Sequence, residues 1–325
     1  MIFSDVIIVG GGPAGSSCAW KLRQNNIECL ILDKQKFPRT KLCAGWITLQ
    51  VINDLKIDVE DYPLSLMKFN KFHIHLYNKE LKINVQQYAI RRHEFDHWLL
   101  KRCGVAVQTH EVKNIKKDGE YYVLDDQYYC NYLVAAGGTH CPVFRTFFRQ
   151  INPRAKKSLI VTLEEEFPYN YQDGNCHLWF FHNKLPGYSW YVPKGNGYLN
   201  IGIGCYAEKL KAIKDNIKNQ WKLFVQELEQ RSLVINYHDN ARGYIYYIRD
   251  SIDKVQIDKV YLIGDAAGLA TKDMGEGIGP AVLSGLLAAE AIITGKPLSL
   301  RSVKKYSFPL YQTRIKLLIK YLFNM

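Results

Sequence analysis

The chain has 325 residues, of which 47% are hydrophobic and 23% are charged, and its formal net charge is +12. This composition is typical of a globular protein with one large core or two smaller ones. The 8 cysteines form no CxxC pair and no metal-ligand spacing, which argues against a disulfide framework and predicts reduced thiols in a cytosolic protein.

The first predicted elements are a strand, a tight turn and a helix that together carry a GxGxxG motif. The β-branched run at residues 6–9 is typical of a buried parallel strand, and Pro13 suits the first turn of a helix. Between them, Gly10 makes the turn, Gly12 lets the backbone approach a pyrophosphate, and Gly15 lets the helix pack closely on the strand. The motif therefore predicts a dinucleotide-binding turn.

An acidic residue completes this unit. A second strand is predicted at residues 29–32, and Asp33 follows it, 18 residues after Gly15. In that position the carboxylate can accept hydrogen bonds from both ribose hydroxyls of an adenosine. The N-terminus of the intervening helix offers N–H groups and the positive end of its dipole to the phosphates. Taken alone, the unit fits NAD and FAD equally well.

A second motif, GDAAG, lies near the other end of the chain. A buried strand is predicted at residues 260–263, and Asp265 follows it, placed to bind a polyol hydroxyl. A helix is predicted from Gly277 to about residue 293. We expect the N–H groups near Gly277 and Ile278 to face a site where negative charge develops. The two motifs, about 250 residues apart, are typical of proteins that bind FAD in an extended conformation. The pair therefore favours FAD.

Four further segments resemble the geranylgeranyl reductase family, which lies within the flavoprotein superfamily typified by p-hydroxybenzoate hydroxylase. They are "FPRTKLCAGW" (37–46), "RRHEFDHWLL" (91–100), "LVAAGGTHCPVFR" (133–145) and "GYSWYVPKG" (187–195), and with the two motifs they extend over nearly the whole chain. The resemblance implies a non-covalently bound FAD. Motifs and resemblance together give the expected FAD-binding residues: Gly10, Gly12, Ala14, Gly15, Asp33, Lys34, Cys43, Ala44, Trp46, Arg92, Val112, Asp265, Gly275, Gly277 and Ile278.

The segment at residues 187–195 also supplies candidate substrate-binding residues. Tyr188 and Trp190 are two positions apart and therefore share one face of a strand. The segment is similar to the family's Y-x-W-x-F-P motif, with Val192 in place of Phe, and the resemblance implies that this strand borders the cavity in front of the flavin. Cys43, Tyr188 and Trp190 are accordingly the expected catalytic residues. The alternatives are two aromatic residues packed in a sheet core and an inert, packed cysteine.

The resemblance implies an α/β fold of the p-hydroxybenzoate hydroxylase type. In it, a Rossmann-type FAD-binding domain is interleaved with an α+β substrate domain. We predict that residues 1–65, 91–152 and 248–325 form the FAD-binding domain, and that residues 66–90 and 153–247 form the substrate domain. A helix is predicted within the substrate domain at residues 215–233, and we expect His73 and His75 on a strand surface.

The predicted function is that of an FAD-dependent oxidoreductase which reduces carbon–carbon double bonds of a hydrophobic, prenyl-type substrate. Two alternatives stay open: a flavin-dependent monooxygenase or halogenase, and a flavin-bearing binding or electron-transfer protein. Gly137 stands where the family usually has an Asp, which puts direct oxidation of NADPH in doubt. NAD(P)H and a reduced protein carrier therefore both stay open as the electron donor. Lys272 replaces the family's usual Pro before the G-E-G turn and would add positive charge near the flavin.

The last 31 residues are strongly basic. They contain seven Lys and Arg residues and no acidic residue, and so hold 7 of the 12 net positive charges. Such a segment favours peripheral contact with an anionic membrane, and a solvated basic helix is the alternative. No run of 18 apolar residues is present, and the first apolar run has only the length of a strand, so we expect neither a spanning helix nor a signal peptide. No nucleic-acid-binding motif is present.

Overall fold

The computed structural model describes residues 1–77, 79–250 and 252–307. The strands are β1 (Ile2–Val9), β2 (Cys29–Asp33), β3 (Trp46–Thr48), β4 (Leu66–Leu76), β5 (Lys79–Ile90), β6 (Ala106–Thr109), β7 (Ile115–Asp118), β8 (Tyr121–Leu124), β9 (Tyr128–Ala135), β10 (Leu159–Pro168), β11 (Cys176–Phe180), β12 (Gly187–Lys194), β13 (Tyr198–Tyr206), β14 (Arg242–Tyr247), β15 (Gln256–Ile257) and β16 (Val260–Leu262). The helices are α1 (Pro13–Gln24), α2 (Leu49–Asp54), α3 (Arg92–Arg102), α4 (Ala207–Ala212), α5 (Ile217–Gln230) and α6 (Ile278–Thr294).

The described residues form two compact units. Unit 1 consists of Met1–Arg39, His93–Ala155 and the chain from Tyr247 onward, and unit 2 consists of Thr40–Arg92 and Lys156–Tyr246. Residues 40–65 therefore belong to unit 2, although the sequence had placed them in the FAD-binding domain. The reason is that β3 pairs with β5 of the unit 2 sheet. That unit 1 binds the cofactor and unit 2 the substrate stays a prediction.

Unit 1 is built on a sheet with the strand order β15-β16-β9-β1-β2-β6. The run from β16 to β6 is parallel, and β7 and β8 add antiparallel strands beside β9. All five residues of β2 are buried, as expected for a parallel strand covered on both faces. Because parallel strands end at the same edge, the loops after β1, β9 and β16 lie next to each other there.

Unit 2 contains a mostly antiparallel sheet with the strand order β14-β10-β13-β12-β11-β4-β5-β3. Strands β11 and β4 pair in parallel within this sheet. Helix α5 covers one face, where Trp221 and Phe224 pack with Trp179 and Tyr191. The apolar spacing that predicted this helix reflects that buried stripe, and the helix begins after its cap residue Asn216.

The expectation for His73 and His75 was wrong. Both side chains are buried, because they pack against the rings of His177 and Trp179 on the neighbouring strand β11. His75 stacks on Trp179, and its Nε2 lies 2.9 Å from Nδ1 of His177. Burial lowers the pKa of His75 from 6.5 to about 4. The alternation of apolar and polar residues along one strand does not reveal which side chains of other strands will pack against it.

The basic C-terminal segment is described only in part. Lys296, Arg301, Lys304 and Lys305 are exposed, and the remaining three basic residues lie outside the described part of the chain. The prediction made for the whole segment therefore stays a prediction. Within the described ranges, no helix combines the length and the apolar character needed to cross a membrane.

Candidate functional site

The GxGxxG motif forms the turn between β1 and α1. Gly10 has a φ of +112°, and a Cβ there would lie 2.5 Å from the carbonyl oxygen of Ala136. A Cβ on Gly15 would overlap the carbonyl oxygen of Gly10, so only glycine lets α1 approach the turn this closely. By contrast, a Cβ on Gly12 would meet only the far end of the Arg39 side chain, at 3.3 Å. Gly12 therefore leaves open space beside the helix terminus, as the approach of a pyrophosphate requires.

The N-terminus of α1 and the end of β2 lie on either side of that space. Gly12 caps α1 without a side-chain hydrogen bond, so the N–H groups of the first turn remain available to an anion. The Asp33 carboxylate accepts hydrogen bonds from the N–H groups of Gly11 (2.8 Å) and Gln35 (2.9 Å). These bonds fix the carboxylate at the edge of the sheet. The arrangement fits the adenosine and pyrophosphate of FAD.

The GDAAG motif lies directly beside the first motif, an arrangement that sequence spacing alone did not predict. Gly264 has a φ of +59°, and its N–H donates to Ser284 Oγ at 3.0 Å. A Cβ on Gly264 would lie 2.9 Å from the Cβ of Ala14, and a Cβ on Gly285 would overlap the Ala14 carbonyl oxygen. Small residues on both helices therefore let α6 pack on α1 and bring the two motifs together.

Asp265 lies at the N-terminus of α6. A Cβ on Gly277, the N-cap residue, would lie 3.2 Å from Asp265 Oδ1, and the cap makes no side-chain hydrogen bond. The helix begins at Ile278 with its first N–H groups near this carboxylate. Gly275 has a φ of +60°, and its own N–H donates to the Thr271 carbonyl at 3.1 Å, inside the loop. Gly275 therefore shapes the loop with its backbone.

Arg154 is a residue of this edge that sequence reasoning missed. Its guanidinium donates to the carbonyl oxygen of Thr139, in the loop after β9, and to that of Ala266 at 2.9 Å, in the GDAAG turn. It also lies 3.9 Å from the Phe144 ring centroid. Arg154 therefore ties two of the loops at the carboxyl edge to each other. Its position in the sequence, 19 residues after β9, gave no signal for this role.

Lys34 and Val112 are the other predicted FAD-binding residues of unit 1, and their contacts with FAD stay predictions. The Lys34 side chain is exposed, and the Val112 side chain is buried in the core, which leaves only its backbone for a ligand. Gly137, which stands where the family usually has an Asp, packs closely against Cys141. A Cβ on Gly137 would lie 3.2 Å from Sγ of Cys141. An Asp at position 137 would therefore need Cys141 to move. Lys272 donates its N–H to the Lys305 carbonyl at 3.0 Å.

Unit 2 carries an aromatic cluster, which consists of Trp46, Phe180, Tyr188 and Trp190. Tyr188 lies parallel to Trp46 with ring centroids 6.4 Å apart, and Trp190 lies 6.5 Å from Trp46. Phe180 lies 5.3 Å from Tyr188. Trp190 is only 4% exposed, and its Nε1 donates to Asn200 Oδ1 at 2.7 Å, whereas Tyr188 is partly exposed. The cluster lies on the face of the sheet opposite α5.

Two glycines on β13 make room for this cluster. Gly202 pairs with Trp190 and Gly204 pairs with Tyr188. A Cβ on Gly202 would overlap the indole of Trp190, and one on Gly204 would lie 3.4 Å from that ring. The alternating glycines in "NIGIGC" are the signal that could have located the indole from the sequence.

The Cys43–Gly45 segment is held by Lys194, which sequence reasoning also missed. The Lys194 side chain is fully buried, and Nζ donates to the carbonyl oxygens of Ala44 and, at 3.0 Å, Ile90. Burial lowers the pKa of this lysine. Gly45 has a φ of +69°, and its N–H donates to Sγ of Cys43 at 3.3 Å. Cys43 is therefore presented on a segment that is bonded on both sides.

Arg92 is the remaining predicted residue. It is buried, and it is the last residue of the Thr40–Arg92 segment and the first of α3. Its contact with FAD stays a prediction. No group of His, Cys, Asp or Glu that could hold a metal ion occurs among the residues that the structure describes.

Several known proteins are similar to this chain in sequence. A family model described as an NAD(P)-binding Rossmann-like domain matches residues 8–63. An uncharacterized protein of Methanosarcina barkeri is 32% identical over 313 residues, which cover 89% of this chain and 74% of that protein. Digeranylgeranylglycerophospholipid reductase 2 of Methanosphaera stadtmanae is 25% identical over 331 residues, with 94% and 82% covered.

A solved structure extends the likeness to the fold. The geranylgeranyl bacteriochlorophyll reductase-like protein of Thermoplasma acidophilum matches with a TM-score of 0.76 at 20% identity, over 99% of this chain and 84% of that protein. The chain belongs to the geranylgeranyl reductase family of FAD-dependent oxidoreductases. The predicted family, fold class and cofactor are thereby confirmed. That the two motifs brought together by α1 and α6 bind FAD stays a prediction.

Proposed function

We propose that this protein saturates carbon–carbon double bonds of a hydrophobic, prenyl-type substrate. The observation that carries the proposal is the aromatic cluster on the face of the unit 2 sheet opposite α5, in a chain of the geranylgeranyl reductase family. The name of the Methanosphaera stadtmanae relative, a digeranylgeranylglycerophospholipid reductase, supports a prenyl chain as the substrate. FAD, when bound and reduced, supplies the hydride and both electrons.

The residues of unit 1 bind and orient the cofactor in this proposal. The α1 N-terminus beside Gly12 binds the pyrophosphate, and Asp33 binds the adenosine ribose. Asp265 binds a hydroxyl of the ribityl chain. The N–H groups at Ile278, where α6 begins, stabilise negative charge on the pyrimidine edge of the flavin.

The aromatic cluster binds the apolar chain of the substrate. Aromatic side chains offer large apolar areas with few rotatable bonds, so little entropy is lost when a chain packs against them. The hydrogen bond from Trp190 to Asn200 and the space above Gly202 fix the indole before any substrate binds. Cys43 is the proposed positioning residue; it precedes Trp46 of the cluster by three residues, on the segment that Lys194 holds.

An anaerobic single-turnover experiment tests the proposal. The flavin is reduced chemically, a geranylgeranyl lipid is added, and flavin absorbance and product mass are followed together. We expect reoxidation without oxygen and a product that is heavier by two hydrogens, while the fully saturated lipid causes no reoxidation. Reoxidation only after oxygen is admitted, with a hydroxylated or halogenated product, would favour the monooxygenase or halogenase. No turnover with any apolar ligand would favour a binding or electron-transfer protein.

We also infer that the basic C-terminal segment contacts an anionic membrane surface. All four of its described basic residues are exposed, and no acidic residue occurs after Gly295. Each basic residue near such a surface contributes about 1 kcal/mol of attraction. Peripheral contact would bring the protein to a substrate that is itself a lipid.

A further inference from the structure

A buried carboxyl group lies on the same face of the unit 2 sheet as the aromatic cluster. Glu164 on β10 and Trp190 on β12 both pair with Gly202 on β13, so the three residues form one row across the sheet. Because Gly202 has no side chain, both neighbours approach the position that its Cβ would occupy. A Cβ on Gly202 would lie 2.7 Å from the Glu164 Cβ and would overlap the Trp190 indole. The Glu164 side chain therefore lies beside Trp190 of the aromatic cluster.

The Glu164 carboxyl group lacks the partners that its neighbours on β10 have. Glu164 is 2% exposed, and its buried Oε1 has no hydrogen-bond partner among the described residues. Glu165 points to the opposite face, where it accepts hydrogen bonds from Tyr237 and Asn240. Glu166 pairs with Arg91 at 2.9 Å. A buried carboxyl oxygen without a partner destabilises the fold, so a role in structure does not explain it.

Charges of both signs face this carboxyl group. Burial raises the pKa of Glu164 to about 8, against the lowering effects of Lys41, Lys194 and Arg92, and Glu166 raises it further. The Lys194 ammonium is already bonded to the Ala44 and Ile90 carbonyls. A pKa of about 8 favours the protonated form of Glu164 at neutral pH, the form that can donate a proton.

We propose that Glu164 is the proton donor for the double-bond reduction, an inference that rests on the proposed function. As a hydride and its two electrons add to one carbon of the double bond, the Glu164 O–H bond breaks. The released proton forms a new C–H bond at the neighbouring carbon. The carboxylate that remains takes a proton from water before the next turnover. The product has gained two hydrogens, and the flavin has been oxidised.

The first test compares Glu164→Gln with Glu165→Gln, the matched change on the opposite face. Both variants should bind FAD as the wild-type protein does. In anaerobic single turnovers Glu164→Gln should reoxidise at least about 100-fold more slowly, since general acids contribute 10²–10⁴-fold, and Glu165→Gln should react normally. The wild-type rate should fall as the pH rises through about 8. Glu164→Asp, which keeps a carboxylic acid, should react faster than Glu164→Gln and more slowly than the wild-type protein.

The second test needs neither substrate nor turnover. Infrared difference spectra of the wild-type protein should contain a protonated carboxyl band at pH 7 that is absent from Glu164→Gln and titrates near pH 8. Absence of that band at pH 7 would overturn the proposal. So would wild-type turnover of a prenyl lipid accompanied by equally fast turnover in Glu164→Gln, and in that case the proposed function would stand. Failure of the wild-type protein with every prenyl lipid would remove the proposed function, and the donor role with it.

Discussion

Replacing Gly12 with alanine should weaken FAD binding and leave the fold intact. Gly12 has a φ of −73°, which alanine adopts without strain, and the added Cβ would meet only the flexible end of Arg39 at 3.3 Å. The methyl group would instead occupy the space through which a pyrophosphate approaches α1. Gly15→Ala is the matched control, because its Cβ would overlap the backbone oxygen of Gly10, which cannot move aside.

The magnitudes follow from these contacts. An extra methyl group in a well-packed site costs about 1–3 kcal/mol, which corresponds to a roughly 5- to 150-fold rise in the Kd for FAD in Gly12→Ala. Gly15→Ala should lower the free energy of unfolding of the apoprotein by at least about 3 kcal/mol, out of the roughly 5–15 kcal/mol typical of a domain.

Two measurements on apoprotein separate the effects. Flavin fluorescence titration gives the Kd, and urea unfolding followed by tryptophan fluorescence gives the free energy of unfolding. We expect Gly12→Ala to differ from the wild-type protein only in the first, and Gly15→Ala to differ in both. The reasoning is refuted if Gly12→Ala binds FAD with wild-type affinity, or if it loses as much stability as Gly15→Ala.

Three further predictions concern other parts of the chain. Cys43 is the only cysteine of the eight that is not buried, so iodoacetamide should modify it first. Lys194→Met should speed this modification, because it releases the Cys43–Gly45 segment. Peptide mass spectrometry measures the site and the rate of modification. The pKa of His75 falls from 6.5 to about 4 on folding, so stability is full above pH 6.5 and is lost as the pH falls towards 4, by up to about 3 kcal/mol. Urea unfolding at pH 7 and pH 4.5 measures this loss, which His75→Phe should reduce. The basic C-terminal segment should bind anionic vesicles in a salt-sensitive way, and equal co-sedimentation with neutral vesicles would contradict this.

The turn at the start of unit 1 was predictable residue by residue because its constraints are local. Gly10 has a positive φ in the turn itself, and a Cβ on Gly15 would overlap the carbonyl oxygen of Gly10, five residues earlier. The packing of α6 on α1 was not predictable in the same way. It depends on contacts of Ala14 with Gly264 and Gly285, which follow Ala14 by more than two thirds of the chain length.

The buried polar residues of unit 2 were the least predictable part of the candidate site. Lys and Glu are rarely buried, so composition alone places Lys194 and Glu164 on the surface. Their burial depends on which strands lie beside β10 and β12 and on what covers them. The same holds for His75, whose partner His177 is 102 residues away in the sequence.

Tyr188 and Trp190 of "GYSWYVPKG" differ in exposure, so we expect them to play different parts in substrate binding, although the sequence predicted the same role for both. Trp190 is buried, bonded to Asn200 and seated over Gly202, so its ring cannot turn toward a ligand without breaking that bond. Tyr188 lies opposite Gly204 on the same face and is partly exposed. A prenyl chain on this face would therefore contact the Tyr188 ring directly. Trp190 would keep that ring in place and lie beside the Glu164 carboxyl group.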